Sequence, residues 1–352
     1  MSKSAEASTA GTSSAKCTVR SPSNIAFIKY WGAKDLEQAI PVNPSLSMTL
    51  TECFSRSTVE WVEEAGEHEI WWRATDGSFE DAPPAFAERV RGHFDFLRRW
   101  AKVEGRFRLA TENSFPAAAG LASSASGFSA MTLATLGALG RQASAAEKSA
   151  LARLSGSGSA SRSVLGGYVE WPDSTSFGAV SSRAQCYARQ IQPADHWDLR
   201  NVIAVVERGA KSTSSLDGHR RAQTSPYFHT RQRRLPGRLK AVRRAIEKRD
   251  FTGLGQVIET EAIDLHCVAM TSDPAIFYWS PATLVVLAAV RAMREDGVEA
   301  YSTMDAGANV HVICQPEAEA EVGRRLQGLE LELSLIHDRV GPGPIVEEDH
   351  LF

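Results

Sequence analysis

Apolar residues along this chain recur with two periods, and the switches between them mark the expected elements. Residues 45–51 alternate Leu46, Met48 and Leu50 with Ser47, Thr49 and Thr51, a period of two that predicts a strand with one buried face. Shorter runs at 17–20, 24–29, 58–62, 69–72 and 106–112 predict further strands. Phe86, Val90, Phe94, Leu97 and Trp100 recur at helical spacing and predict an amphipathic helix over 85–101. Small residues over 121–137 predict a closely packed helix; a second helix over 145–154, a Gly/Ser segment at 155–163 and a strand at 168–171 follow. Composition shifts after Pro193. There a strand at 201–206 precedes helices over 239–248, 251–270 and 281–294. Strands at 299–304 and 309–314, a helix over 317–326 and a strand at 331–336 complete the chain. That second-half order is the order of a split β-α-β layer. The expectation is an α+β chain with a disordered lead-in over 1–17, a domain over 18–195 and another over 196–352.

Composition narrows the function classes. The 352 residues are 43% hydrophobic and 23% charged, ordinary for a soluble globular protein. A net charge of −3 argues against non-specific nucleic-acid binding. The basic run at 231–249 carries Leu, Val and Ile at the spacing of one buried helix face and no interleaved aromatics, so it reads as a solvated cationic face. No stretch approaches the roughly 20 apolar residues of a membrane span. The Ser/Ala/Thr-rich start lacks the apolar core of a signal peptide, which makes a cytoplasmic location the expectation. Cys17, Cys53, Cys186, Cys267 and Cys314 are scattered and form no CxxC pair, as expected of free thiols. His266 has no second histidine at metal-ligand spacing and reads as a core residue.

Four segments can carry chemistry. Pro116-Ala-Ala-Ala-Gly120-Leu-Ala-Ser123-Ser124-Ala-Ser126 opens a helix with small residues that let free amides approach a phosphate. Composition alone leaves a tightly packed structural helix equally open. Ser155-Gly-Ser157-Gly-Ser159-Ala-Ser161-Arg162-Ser163 gathers hydroxyls, amides and one guanidinium, a set suited to a carboxylate or phosphate; a flexible linker is the alternative. Met304-Asp305-Ala-Gly-Ala-Asn309 is a turn between apolar strands, where Asp305 either shapes the turn or serves as a base. In Asn24-Ile-Ala-Phe-Ile-Lys29-Tyr30-Trp31-Gly32, Lys29 can orient an acidic neighbour or a phosphate, or simply pack on Trp31.

Taken in order, these segments resemble the mevalonate diphosphate decarboxylases, a family of the GHMP-kinase superfamily. The 24–32 motif matches almost word for word; the segments at 115–126, 157–162, 303–307 and 340–344 follow in the family's order, and the likeness spans about 18–345. The resemblance implies an N-terminal domain like ribosomal protein S5 domain 2 and a ferredoxin-like C-terminal domain. It places ATP over Ala119, Gly120, Leu121, Ala122, Ser123, Ser124 and Ser126, with Mg²⁺ bridging the phosphates and no protein ligand assigned to it. Phosphorylated mevalonate would lie between the domains, near Tyr30, Trp31, Gly32, Ser157, Gly158, Ser159, Ala160, Ser161, Arg162 and Ser215. By this likeness Asp305 acts on the C3 hydroxyl, Lys29 holds Asp305 ionised, and Arg162 fixes the substrate carboxylate. A homodimer is a family-level expectation.

Departures from the family pattern concern the phosphate end of the substrate. Ala33 stands where many members have a second lysine, with Lys34 one place later. Leu216 replaces Thr or Arg and His219 replaces Met in Lys211-Ser-Thr-Ser-Ser215-Leu216-Asp-Gly218-His219, and the segment 277–283 also differs from the commoner form. The expected reaction is decarboxylation of mevalonate 5-diphosphate to isopentenyl diphosphate, with ADP, phosphate and CO₂. The alternatives are a phosphomevalonate decarboxylase, a mevalonate-type kinase and a non-catalytic anion-binding module. The presence of both Arg162 and Asp305 weighs against a kinase.

Overall fold

The computed structural model describes residues 15–74, 76–115, 123–172, 186–207 and 213–352. The first part of the chain contributes β1 (Ala15–Ile28), β2 (Ala33–Asp35), β3 (Ile40–Pro41), β4 (Ser45–Val62), β5 (Glu69–Arg73) and β6 (Phe79–Asp81). Next come α1 (Pro84–Ala101), β7 (Arg106–Asn113), α2 (Ser123–Ala138), α3 (Ala145–Arg153), α4 (Ala160–Ser163), β8 (Tyr168–Trp171) and β9 (Arg189–Gln192). The second part holds β10 (Arg200–Val205), α5 (Ser215–Arg221), α6 (Phe228–Lys248), α7 (Phe251–Met270) and α8 (Pro281–Glu295). It ends with β11 (Ala300–Thr303), β12 (Val310–Cys314), α9 (Glu319–Gln327), β13 (Ser334–Arg339) and β14 (Ile345–Glu347).

Among the described residues, one sheet runs β14-β1-β4-β7-β5-β6, with β8 paired to β4 and β9 to β8. A second sheet has the order β11-β12-β10-β13 and is antiparallel throughout. Its first strand, β10, lies between its third and fourth, the ferredoxin-like arrangement that the element order predicts. The chain does not stay in this second layer: β14 returns to pair Thr18–Arg20 of β1.

Two strands expected at 45–51 and 58–62 are a single strand, β4, which changes partner along its length. Ser45–Met48 pairs with β8 and Ser55–Val62 with β7. Between the two halves β4 slips out of register with β1. There the Thr51 and Glu52 amides donate to Asp338 Oδ1 at 2.8 and 2.9 Å, and the Cys53 amide to Oδ2 at 2.9 Å. A buried carboxylate on β13 thus supplies the acceptors that the strand ladder lacks at this bulge.

Helix α2 is buried on nearly every face, so its polar residues need internal partners. Ser126 Oγ meets Ser55 Oγ at 2.7 Å, Ser129 accepts from Ser21 at 2.7 Å, and Thr132 and Thr135 donate to carbonyls one turn back. Small side chains let the helix lie this close: a Cβ on Gly137 would stand 2.3 Å from the Cys17 sulfur. Phe94, Leu97, Phe107, Leu109, Phe128 and Met131 form the core between α1, α2 and the large sheet. A second core joins both parts, bringing Ile25, Phe27, Leu46 and Met48 against α6, α7 and Ile313 of β12.

Three further expectations change. Ala15–Cys17, assigned to the disordered lead-in, already pairs with β4, because Cys17 is opposite Val59 in a continuous ladder. Helix α6 starts at Phe228 rather than 239 and carries Pro236 inside it. Its basic run is not a simple solvated face. Arg231 is 2% exposed and binds Glu261, Arg238 bridges Glu261 and Asp264, and Arg243 pairs with Glu170. His266 is buried against Trp279, as expected of a core histidine, and the cysteines are free. No helix among the described residues is long and apolar enough to cross a membrane.

Candidate active site

Strand β1 carries apolar residues to the end of the large sheet, and Lys29 follows its last residue. The lysine is almost fully buried, and its Nζ donates to the Ala26 carbonyl at 2.6 Å and to Asp305 Oδ1 at 2.7 Å. Asp305 comes from the turn between β11 and β12, 276 positions away in sequence. Asn309 fixes that turn: its Oδ1 accepts from the Val206 and Glu207 amides at 2.8 and 3.0 Å.

Burial by itself would raise the Asp305 pKa. The Lys29 ammonium, its hydrogen bond, and the nearby His311 and Arg162 outweigh burial and hold the carboxyl below its ordinary value. Asp305 is therefore an ionised acceptor at neutral pH. The Lys29 backbone is fixed from behind. Its amide donates to Glu261 at 3.3 Å, and its carbonyl accepts from Asn43 at 3.0 Å and Arg231 at 2.9 Å. Glu261 lies between Arg231 at 2.5 Å and Arg238 at 2.6 Å, so this buried carboxylate is paired on both oxygens.

Arg162 projects from the one-turn helix α4. Its Nε donates to Asn24 Oδ1 at 3.1 Å and its Nη1 to Ser45 Oγ at 2.6 Å. Ser45 donates its own proton to the Trp171 carbonyl at 2.9 Å, which leaves its oxygen to accept from the arginine. Burial lowers the Arg162 pKa to about 10, so the guanidinium remains charged at neutral pH. Gly158 brings the Gly/Ser segment against two rings: a Cβ there would stand 2.6 Å from Tyr30 and 2.7 Å from Trp171.

A cavity of about 420 Å³ joins these groups. It is lined by Lys29, Asp305 and Arg162, by Ser123 and Ser124 at the start of α2, and by Ser214, Ser215 and His219 around the start of α5. Such a cleft presents a carboxylate, a guanidinium and clustered hydroxyls to an anionic ligand.

Known sequences and structures converge on the same chemistry. The diphosphomevalonate decarboxylase-like N-terminal domain matches residues 21–186, and the mevalonate 5-diphosphate decarboxylase C-terminal domain matches 201–331. The chain belongs to the mevalonate diphosphate decarboxylase family. A diphosphomevalonate decarboxylase of Ganoderma lucidum is 32% identical over 328 residues, covering 87% of this chain and 80% of the relative. The mevalonate diphosphate decarboxylase of Staphylococcus aureus superposes with a TM-score of 0.86 at 30% identity, covering 95% of this chain and 98% of its own. A second structure, MDDEF in complex with MVAPP, AMPPCP and magnesium, gives 0.85 at 32% identity, covering 95% and 99%. The decarboxylase fold is thus the GHMP-kinase fold of these neighbours.

Within this decarboxylase, Lys29, Tyr30, Trp31, Ser123, Ser124, Ser157, Gly158, Ser159, Arg162, Ser215 and Asp305 share the cavity. Four other sequence candidates do not line it. Ser126 is turned to Ser55, and Ala160 and Ser161 are buried in α4. Gly32 lies behind Trp31 with φ of +94°, close to Phe228. Ala119, Gly120, Leu121, Ala122 and Lys211 fall outside the described residues. Ala33 is buried opposite Pro41 and does not line the cavity, whereas Leu216 and His219 do.

Sequence reasoning missed Arg89, Asn24 and Ser45. Arg89 enters the cavity from α1 with its guanidinium 4.6 Å from the Phe128 ring centre, yet in sequence it is one of many polar positions on an amphipathic helix. Asn24 sat inside a recognised motif without a role. Ser45 carried no signal.

Proposed function

We propose that this chain decarboxylates mevalonate 5-diphosphate at the expense of ATP, giving isopentenyl diphosphate, ADP, phosphate and CO₂. The observation that carries this reading is the Lys29–Asp305 ion pair at 2.7 Å, in one cavity with the anchored Arg162. A tertiary hydroxyl is a poor leaving group. Asp305, kept ionised by Lys29, accepts its proton as the oxygen attacks the terminal phosphoryl group of ATP, releasing ADP. The resulting phosphate then departs from C3, and the electron pair of the breaking C–C bond forms the alkene as CO₂ leaves. Arg162, held on Nε and Nη1, presents the rest of its guanidinium to the carboxylate and keeps that bond in line.

The opening of α2 suits the nucleotide, since Ser123 and Ser124 add hydroxyls at the positive end of a 16-residue helix. Among the described residues no group of three or more His, Cys, Asp or Glu side chains is placed to hold a metal. A magnesium ion here would be held mainly by the nucleotide's phosphates, whose charge it would neutralise.

A monophosphate substrate is the second reading. Leu216 and a neutral His219 line the wall beside Ser215, and the described cations of the cavity are Lys29, Arg89 and Arg162. Incubation with ATP, Mg²⁺ and each mevalonate phosphate, with CO₂ and ADP measured, tests both. ADP without CO₂ would sink the decarboxylase reading, and CO₂ from the monophosphate alone would move the substrate.

A further inference from the structure

His219 is a partly buried titratable group with no place in the reaction just described. The Gly32 amide points at its Nδ1 at 2.9 Å. An amide can only donate, so Nδ1 accepts, and the single proton of the neutral ring sits on Nε2. The ring is fixed on two sides, with centroids 4.0 Å from Tyr30 and 5.1 Å from Trp31. Gly218 makes this seating possible: a Cβ there would stand 2.2 Å from the Trp31 ring, so α5 lies directly on Trp31 and carries His219 into the cavity. Burial, aided by Arg231 of α6, lowers the imidazole pKa to about 3, so the ring is uncharged at neutral pH. Its Nε2 has no hydrogen bond among the described residues, and the side chain lines the cavity beside Ser214 and Ser215.

We propose that His219 Nε2–H is a fixed, neutral hydrogen-bond donor to the phosphoryl end of the substrate. The inference rests on the function proposed above and on the family likeness, which puts the phosphorylated substrate near Ser215, the first residue of α5. A donor of this kind selects by position: it rewards an oxygen at one place on the wall and adds no long-range attraction for anions in general. Arg231 is committed to Lys29 and Glu261, and Lys29 to Asp305, so neither replaces it.

Two amide variants separate the roles of the ring nitrogens. His219→Asn keeps an acceptor near Nδ1 for Gly32 and removes the distal donor. His219→Gln places an N–H near Nε2. With whichever mevalonate phosphate the wild type decarboxylates, His219→Asn is expected to raise KM about tenfold or more, the scale of one hydrogen bond to a charged group. Turnover at saturation and KM for ATP should change far less, and His219→Gln should recover much of the loss. A wild-type KM in His219→Asn, or a loss confined to kcat, would overturn the role. Absence of CO₂ from the wild type would instead overturn the function reading. Calorimetry with mevalonate 5-diphosphate then still decides on His219: about tenfold weaker binding to the Asn variant supports it, while equal affinity, or no binding to either protein, rejects it.

Discussion

At Asp305 two opposed effects meet, and their balance sets the pH range in which the site works. Burial raises its pKa and Lys29 lowers it, with the lysine and its neighbours prevailing. The proposed reaction uses Asp305 as the carboxylate, so activity is expected to fall as pH drops through that pKa. Removing the cation in Lys29→Met moves the acid limb of kcat against pH to higher values; an unmoved limb would separate Lys29 from the titration. Asp305→Asn keeps the shape and loses the proposed base, so CO₂ release should fall about 10²–10⁴-fold while nucleotide binding persists. Arg162→Lys loses the fork that reaches Asn24 and Ser45 at the same time as a ligand. Its expected cost is at least about 10²-fold in turnover, the scale of misplacing a positioning group, read by the same assay. Lys29, Arg162 and Asp305 were legible because each sits in a dense local motif. Asn24, Ser45 and Arg89 were not, since the role of each comes from a partner more than 30 residues away.

Elements decide how closely those residues approach. Helix α4 is a single turn that sequence presents as Gly/Ser-rich loop, and it forms because it is wedged between α2, α3 and β1. Gly158 just before it has ordinary backbone geometry; its need is for space beside Tyr30 and Trp171. Gly158→Ala should therefore lower stability by about 1–3 kcal/mol, the usual cost of overpacking, and raise substrate KM as Tyr30 shifts. Thermal denaturation and steady-state kinetics check both effects. The long helices α1, α7 and α8 were predictable to within a few residues because apolar periodicity over several turns is a strong signal. Strands β2, β3, β6 and β14 are two or three residues long, too short to show any period.

Across the whole molecule, Asp338 links the two sheets. It sits on β13 and accepts three amides of the β4 bulge besides that of Arg339. Asp338→Ala strands those buried donors and should cost about 3 kcal/mol, since hydrogen bonds to a charged group each contribute roughly 1.5–3 kcal/mol. Urea unfolding measures the loss; a change below about 1 kcal/mol would mean that water satisfies the bulge instead. The amino-acid sequence by itself determined the order of the long helices, the α+β class and the segments that carry chemistry, because periodicity, turn residues and dense motifs are local properties. Only the tertiary structure decided that β4 is one bent strand, that the C-terminal segment returns to β1, and that Arg231 is buried rather than solvated. It also decided which serines face the cavity and which tautomer His219 holds. Those outcomes depend on partners distant in the chain, and a local pattern carries no record of what will be folded against it.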